Sequence, residues 1–232
     1  MPADRAVAAL VERYGLPASA PRQLRSLLSL LTEDPLAPTT IDAAHAVDDH
    51  LADSLVALEL GEVRAAATIA DLGSGAGLPG LPLAIALPEA AVSLVESSIR
   101  KCEFLKRVVQ ACDLANVEVV HARIEEWNAS VDVVTARALA PLEVVVEYAA
   151  PLLRIGGTLV VWRGQRELAS EAAATKAAEI VGIQPGDIRP VQPYPAARHR
   201  HLHLMSKVME TPSRFPRRPG VARKRPLGSG KA

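Results

Sequence analysis

The sequence predicts a doubly wound, Rossmann-like α/β fold, and three observations carry this prediction. An apolar run ends at Asp71 and continues through alternating glycines into a helical stretch. A second apolar run ends at an acid, Glu96, roughly 20 residues after the glycines, as in nucleotide-binding sheets. From Ala66 onward, short apolar strands alternate with helical segments, which indicates a parallel sheet covered by helices.

This alternation gives the expected order of elements. Strands are predicted near residues 66–72, 91–96, 117–121, 131–136 and 157–163. Helices are predicted between them, near residues 80–87, 99–113, 141–153 and 165–181. Two more apolar-alternating runs, at 188–194 and 199–208, are expected to complete a seven-stranded sheet with a terminal antiparallel hairpin.

The segment before the sheet is predicted to be an N-terminal helical extension. Its helices are expected near residues 3–13, 21–31 and 42–58. With 232 residues and 49% hydrophobic content, the chain can bury one sizeable core. We therefore predict an extension at 1–62, a ligand-binding core at 63–210 and a basic tail at 211–232.

The glycine loop is the strongest functional signal. Gly73, Gly75 and Gly77 alternate after the first strand and are followed by Leu78. Glycine permits a positive φ and lets a ligand lie against bare main chain. Glu96 ends the next strand, where an acid accepts the two ribose hydroxyls of a bound nucleoside. We expect these five residues to bind an adenosine-containing cofactor.

The spacing leaves two cofactor classes open. Gly75, Gly77 and Gly80 satisfy the dinucleotide pattern G-x-G-x-x-G, although Pro79 lies where helix amides would face a pyrophosphate. The longer pattern D-x-G-x-G-x-G, which starts at Asp71, resembles motif I of class I methyltransferases. That resemblance implies S-adenosylmethionine as the cofactor, with Asp71 steadying the loop and helping to hold the methionine end.

Composition points to a cytoplasmic protein that does not bind membranes, and we separately expect a monomer. The two cysteines, Cys102 and Cys112, lie in one predicted helix without disulfide or metal-ligand spacing, which fits a reducing compartment. We find neither a signal-like opening nor an apolar run of membrane-spanning length.

Charge is distributed unevenly although the net charge is zero. After Glu210 the chain has no acid, and its basic residues there are Arg214, Arg217, Arg218, Arg223, Lys224, Arg225 and Lys231. A basic tail on an acidic body suggests a polyanion partner, most plausibly nucleic acid, and a merely solvated tail is the alternative. We expect removal of this tail to leave cofactor binding intact, on the assumption that the first four strands build the pocket.

Five sequence blocks make the resemblance more specific. In order, they are DLGSGAGLPGLPLAIALPEA, LVESSIRKCEFLKRVV, HARIEEW, VVTARALAPLE and GGTLVVWRG. They resemble the ribosomal small-subunit methyltransferase G family, also called glucose-inhibited division protein B, from about His50 through the tail. The resemblance implies the class I methyltransferase sheet and an enzyme that uses S-adenosylmethionine to methylate N7 of one guanosine in 16S rRNA, either free or in the small subunit.

The chain departs from the family pattern in two places. Members usually have Asn-Leu-Thr where this chain has LAPTTI, and commonly have lysine where this chain has Arg163 before a glycine. Both positions lie away from the glycine loop, so they bear on the RNA target rather than on the cofactor. A divergent paralogue that methylates another RNA guanosine is therefore an alternative.

The residues agree with an N7 target. Guanine N7 has a free lone pair, so its methylation needs alignment and electrostatic support but no base. Methylation of a base carbon would use a nucleophilic cysteine in a loop, whereas Cys102 and Cys112 are predicted to be packing residues. The loop TARALAPLE lacks the Asn/Asp-Pro-Pro-aromatic motif typical of exocyclic-amine methylation.

Further site residues follow from their places in the predicted sheet. Arg137 ends the fourth strand, where it would position the methionine carboxylate, a phosphate or guanine O6, or else form an ion pair with Asp71 or another acid of the glycine elbow. Ile124 and Glu125 follow the third strand and are expected to contact adenine. His50 either reaches the rim of the active site or packs.

Basic and histidine residues provide the predicted RNA contacts. His199, His201 and His203 alternate along one strand, and we interpret them as a solvated or RNA-facing strand rather than a metal site. The residues predicted to bind RNA are Arg163, Arg217, Arg218, Lys224 and Arg225. A nicotinamide- or flavin-dependent oxidoreductase and a noncatalytic ribosome-binding module remain the alternatives from other functional classes.

Overall fold

One mixed sheet of seven strands organises the chain in the computed structural model, which describes residues 3–38 and 45–228. The strands are β1 Thr68–Leu72, β2 Ala91–Glu96, β3 Val117–His121, β4 Val131–Arg137, β5 Leu153–Arg163, β6 Ile183–Pro190 and β7 His201–Lys207. Their order is β3–β2–β1–β4–β5–β7–β6, and β7 alone runs antiparallel to the other six strands. The predicted seven-stranded sheet with a terminal antiparallel hairpin is confirmed.

Helices cover both faces of this sheet. They are α1 Ala3–Tyr14, α2 Ala20–Glu33, α3 Asp53–Leu55, α4 Gly61–Arg64, α5 Gly80–Ala86, α6 Ile99–Ala111, α7 Leu142–Ala149, α8 Leu168–Val181 and α9 Val221–Lys224. Successive strand residues point to opposite faces, so Ile69 enters the core beneath α5 and α6, whereas Ala70 enters the core beneath α7 and α8. This double burial explains the nearly continuous apolar strands.

The N-terminal helices share the first of these cores. Leu24 and Leu27 of α2 are buried in the same cluster as Leu83 of α5. The predicted third helix is irregular, because a π-helical turn at Val47–Ala52 precedes α3 and a 3₁₀ turn at Val56–Glu59 follows it. Residues 42–44 of that prediction, and Thr39 to Ile41 of the divergent LAPTTI motif, lie outside the described residues.

The start of β6 differs from the prediction. We expected this strand at 188–194, but it begins at Ile183. Pro185 and Gly186 resemble a turn in sequence, yet β6 is an edge strand, where proline is tolerated. The pairing register with β7 shifts between Pro185 and Ile188, which accommodates the irregular residues as a bulge.

The basic tail also differs from the prediction, since its described part packs on the core. Phe215 and Ala222 are buried in the cluster that contains α7 and α8, and Leu227 packs against it. The tail is therefore folded against the sheet layer as far as residue 228. No helix in the described ranges is long and apolar enough to cross a membrane.

Candidate functional site

Two cavities open at the carboxyl ends of the parallel strands, the edge at which open α/β sheets bind ligands. The β2 cavity, of about 420 Å³, is lined by Gly73, Glu96, Ser97, Lys101, Arg123, Ile124, Glu125, Ala138, Leu139, Tyr148, Gly220 and Arg223. The β5 cavity, of about 580 Å³, is lined by Asp49, His50, Asp53, Arg137, Ala138, Trp162, Arg163, Gly164, Gln165, Glu167, Val191, Arg200 and His201. Ala138 lines both, so the cavities meet just after β4.

Backbone conformation explains the glycine loop beneath the β2 cavity. Gly73, Gly75 and Gly77 have φ values of 65°, 58° and 85°, in the left-handed region that favours glycine. A Cβ at Gly73 would overlap Leu139, and one at Gly77 would overlap Leu81. The loop therefore needs glycine both for its conformation and for the close approach of its neighbours.

The loop residues divide into those that line the cavity and those that support it. Gly73 lines the β2 cavity, whereas Gly75 donates its N–H to Glu96 Oε2 at 3.1 Å. The Leu78 side chain is buried in the core that contains α5, which leaves only its backbone for the predicted cofactor contact. The loop thus acts mainly through its main chain.

Asp71 supports the loop from below. Its carboxylate is buried, and Oδ1 accepts a hydrogen bond of 2.8 Å from the Thr135 hydroxyl. Oδ2 has no hydrogen-bond partner among the described residues, and a Cβ at Gly80 would come within 2.9 Å of it. Burial raises the pKa of Asp71 to about 6, although the hydrogen bond from Thr135 opposes the shift. This carboxylate is not among the residues that line either cavity, and its contact with the methionine end stays a prediction.

Glu96 is fixed at the wall of the β2 cavity by backbone amides. Its Oε1 accepts the Ser98 N–H at 2.9 Å, while Oε2 receives the Gly75 N–H. The ammonium of Lys101 lies 3.9 Å from Oε2. Since the carboxylate has acceptor sites beyond these contacts, it can accept the hydroxyls of a ribose.

The turn after β3 forms the next part of the wall. Ile124 and Glu125 belong to a 3₁₀ turn and line the β2 cavity, and their contact with adenine stays a prediction. Tyr148 of α7 lies beside them, and its pKa is raised, first by burial and then by the Glu125 charge. The tyrosine could not be anticipated, because it appears in the sequence as an apolar helix position.

The C-terminal segment completes this wall. Gly220 and Arg223 line the β2 cavity, and the Gly220 N–H donates to Glu125 Oε1 at 2.9 Å. The β2 cavity is therefore not built by the first four strands alone, which differs from the arrangement expected for the cofactor pocket. The physical reason is the burial of Phe215 and Ala222, which holds residues 211–228 against the core.

The β5 cavity has an ion-pair network at its centre. Arg137 NH1 lies 2.9 Å from Asp53 Oδ2, and Arg200 Nε lies 3.4 Å from Asp53 Oδ1. The Trp162 indole donates to the Asp53 carbonyl at 2.7 Å. Arg137 thus lines the cavity and forms an ion pair at the same time, and its partner is Asp53 rather than Asp71 or another acid of the glycine elbow.

His50 faces the same cavity from the π-helical turn, a local irregularity common at functional sites. Its Nδ1 is buried and has no hydrogen-bond partner within the described parts of the chain. Burial and then the Arg137 charge lower the pKa of His50, so the imidazole is neutral at pH 7. The rim position is therefore the one that the structure supports.

Residues after β5 and before β7 close the far side of the β5 cavity. Arg163 lies 3.4 Å from Glu167, and His201 Nδ1 contacts the Gly164 carbonyl at 2.9 Å. His203 is buried, which corrects the expectation of three histidines facing solvent or RNA. The described residues contain no cluster of side chains that could hold a metal ion.

The predicted RNA-binding residues of the tail are in different settings. The Arg217 guanidinium makes an ion pair with the buried Glu147, with Nε 2.8 Å from Oε1, so its predicted role at RNA is replaced by an anchoring one. Arg218, Lys224 and Arg225 are exposed. These three residues stay predicted phosphate contacts.

Comparison with known proteins identifies one family of relatives for this chain. The family model of rRNA small subunit methyltransferase G matches residues 36–200. The ribosomal RNA small subunit methyltransferase G of Chloroflexus aggregans is 43% identical over 192 residues, covering 80% of each chain. Its counterpart in Rubrobacter xylanophilus is 39% identical and covers 78% of this chain and 73% of its own.

Solved structures share the fold at low identity. The Aeropyrum pernix fibrillarin complex with S-adenosylmethionine has a TM-score of 0.51 and 20% identity, covering 66% of this chain and 72% of its own. The mitomycin 7-O-methyltransferase MmcR has a TM-score of 0.60 and 16% identity, covering 78% and 60%. From the family match and the relatives together, the chain belongs to the rRNA small subunit methyltransferase G family.

Proposed function

We propose that this protein transfers a methyl group from S-adenosylmethionine to N7 of a guanosine in the 16S rRNA of the small ribosomal subunit. The observation that carries the proposal is the meeting of two cavities at Ala138. One has carboxylates suited to adenosine, and the other has a balanced set of charges suited to a nucleotide. A reaction between a bound cofactor and an RNA base requires two adjoining sites of this kind.

The β2 cavity fits the cofactor. Glu96 would accept the ribose hydroxyls, Glu125 would accept from the adenine amino group, and the bare main chain at Gly73 would lie along the ligand. When bound, S-adenosylmethionine supplies an electrophilic methyl group on a positively charged sulfonium.

The β5 cavity fits a guanosine acceptor that needs no deprotonation. Guanine N7 carries a lone pair and presents no proton, so the enzyme has to orient the base. The Arg137 guanidinium can donate to guanine O6 or to a phosphate while Asp53 holds it in place. The neutral His50 adds a polar group at the rim without adding charge.

Basic side chains around the β5 cavity would engage the RNA backbone. Arg163 and Arg200 line this cavity, and exposed tail residues such as Lys224 would extend the contact. The substrate is either free rRNA or the assembled subunit. The proposal also places the protein in the cytoplasm as a monomer.

Mapping of the methylated nucleotide tests the proposed function. Small subunits that lack rRNA guanine-N7 methylation are incubated with the protein and isotopically labelled S-adenosylmethionine, and the rRNA is digested and analysed by mass spectrometry. We expect one labelled 7-methylguanosine. Label on a ribose or an exocyclic amine would contradict the proposal. In a parallel incubation with RNA from outside the small subunit, label at N7 of a guanosine there would indicate the divergent paralogue.

A further inference from the structure

The C-terminal segment, residues 211–228, is firmly anchored to the core. Glu147 of α7 has a side chain only 1% exposed, and Arg217 of the segment is its partner. A buried carboxylate without a charged partner would be strongly destabilising, so this ion pair fixes the segment in one place. The burial of Phe215 and Ala222 adds apolar contact on either side of the ion pair in sequence.

Two contacts join the anchored segment to the β2 cavity. Gly220 takes a left-handed conformation, with φ of 80°, and its N–H reaches Glu125 Oε1. Three residues later, Arg223 NH2 donates to the Leu139 carbonyl at 3.0 Å. Since Glu125 follows β3 and Leu139 follows β4, the segment bridges two strand ends across the cavity wall.

Arg223 lies on the side of the cavity that contains Glu125, and both side chains are close to the Tyr148 hydroxyl. Glu125 and Arg223 act on the Tyr148 hydroxyl in opposite directions, the first raising its pKa and the second lowering it. All three side chains line the cavity, so they lie together at one part of its wall. Glu96, the residue suited to ribose, belongs to a neighbouring part of the wall.

We propose that residues 211–228 form the adenine side of the cofactor site, with Arg223 covering the base. This inference rests on the proposed function, because it takes the β2 cavity as the S-adenosylmethionine site. A guanidinium plane packs well on an aromatic face, and adenine offers such a face. The Gly220 N–H and the Tyr148 hydroxyl both engage the Glu125 carboxylate, which has further acceptor sites for the adenine amino group.

The proposal gives the basic tail a role that its charge alone did not suggest. Its anchor, Arg217, and its cavity residue, Arg223, act within the protein, whereas Lys224 and Arg225 stay exposed. Substituting Arg223 should therefore weaken cofactor binding rather than RNA binding.

Calorimetric titration of full-length variants tests this inference with two ligands. The first is S-adenosylmethionine, and the second is 5′-methylthioadenosine, which keeps the adenosine and lacks the amino-acid end. We expect Arg223→Ala to weaken the binding of both ligands by about five- to tenfold, as for loss of a cation–π contact at an exposed arginine that the ligand partly covers. Arg223 is exposed, so the variant should unfold at the wild-type temperature.

Arg214→Ala is the matched control. Arg214 is an exposed arginine of the same segment whose guanidinium lies 5.1 Å from the Phe215 ring centre, and it is outside the described lining of both cavities. We expect wild-type affinity for both ligands. Equal affinities for Arg223→Ala and Arg214→Ala would overturn the inference, as would a loss confined to S-adenosylmethionine, which would place Arg223 at the amino-acid end. A wild-type protein that binds neither ligand would instead refute the proposed function.

Discussion

The two cavities hold their carboxylates in different ways. In the β2 cavity, backbone N–H groups hold both Glu96 and Glu125, and the Lys101 ammonium adds only a longer contact of 3.9 Å to Glu96. In the β5 cavity, the guanidinium groups of Arg137 and Arg200 hold Asp53 and balance its charge. The first arrangement suits the neutral donors of adenosine, and the second suits an acceptor that carries phosphates.

The largest effect predicted from this difference concerns turnover. Arg137→Ala should lower methyl transfer by roughly 100-fold or more, because an orienting charged hydrogen bond is lost at the acceptor. Cofactor affinity should stay close to wild type, since Arg137 lines the β5 cavity and not the β2 cavity. Arg200 still lies beside Asp53, so the fold should persist. Single-turnover kinetics and calorimetry measure the two quantities.

Arg154→Ala serves as its control, because Arg154 pairs with Asp132 at the opposite end of the sheet. We expect wild-type turnover for that variant. If Arg137→Ala instead unfolds well below the wild-type temperature yet turns over normally when folded, then its ion pair with Asp53 is purely structural.

The next effect concerns the glycine loop. Gly75→Val should weaken the binding of S-adenosylmethionine by about 10- to 100-fold. A β-branched residue is strained at a positive φ and would displace the N–H that holds Glu96. Gly15→Val is a matched control, since Gly15 also has a positive φ and open space around it but lies after α1. It should lose stability without losing cofactor affinity. Wild-type affinity in Gly75→Val would remove this loop from the cofactor site.

A smaller effect is expected at the ribose. Glu96→Gln should make the binding free energy of S-adenosylmethionine less favourable by about 1–3 kcal/mol, because hydrogen bonds from hydroxyls to a carboxylate are replaced by weaker ones to an amide. The methylated nucleotide should not change. Glu118→Gln on β3 is the control, as Glu118 is exposed. An unchanged dissociation constant for Glu96→Gln would place Glu96 outside the binding site.

The smallest effect concerns the support beneath the loop. The pKa of Asp71 is raised from 3.8 to about 6 in the folded protein, so its stabilising contribution is complete below pH 3.8 and is lost as pH rises through 6. Between pH 5 and pH 8, the wild type should lose on the order of 1–2 kcal/mol of unfolding free energy relative to Asp71→Asn. Urea unfolding at both pH values measures this difference, and a pH-independent difference would show that Asp71 is not protonated near pH 6.

The contrast between the cavities also explains what the sequence could reveal. The loop at Gly73 and the acid at Glu96 depend on local conformation and on the spacing of adjacent strands, so their pattern is visible in the chain. The partner of Arg137 is not visible in this way, because Asp53 lies 84 positions away and reaches the strand end only through the π-helical turn.

The tail shows the same limit most clearly. Charge counting suggested a separate basic tail, yet Arg217 finds its partner 70 positions away in Glu147. The Glu147 carboxylate is buried only in the folded protein, where the tail covers it, so the sequence alone does not reveal this pair. The early start of β6 was hidden for a related reason, since an edge strand tolerates the Pro185 that resembles a turn in sequence.

Methyl transfer to an acceptor without N7 tests the central claim most directly. Small subunits are reconstituted with 16S rRNA transcribed with 7-deazaguanosine, in which a carbon atom replaces N7 and the lone pair is absent. Their affinity for the protein is measured beside that of unmodified subunits. We predict that the protein binds both and transfers labelled methyl only to the unmodified rRNA. Equal incorporation into the 7-deaza rRNA would contradict the claim, because the acceptor atom could not then be guanine N7.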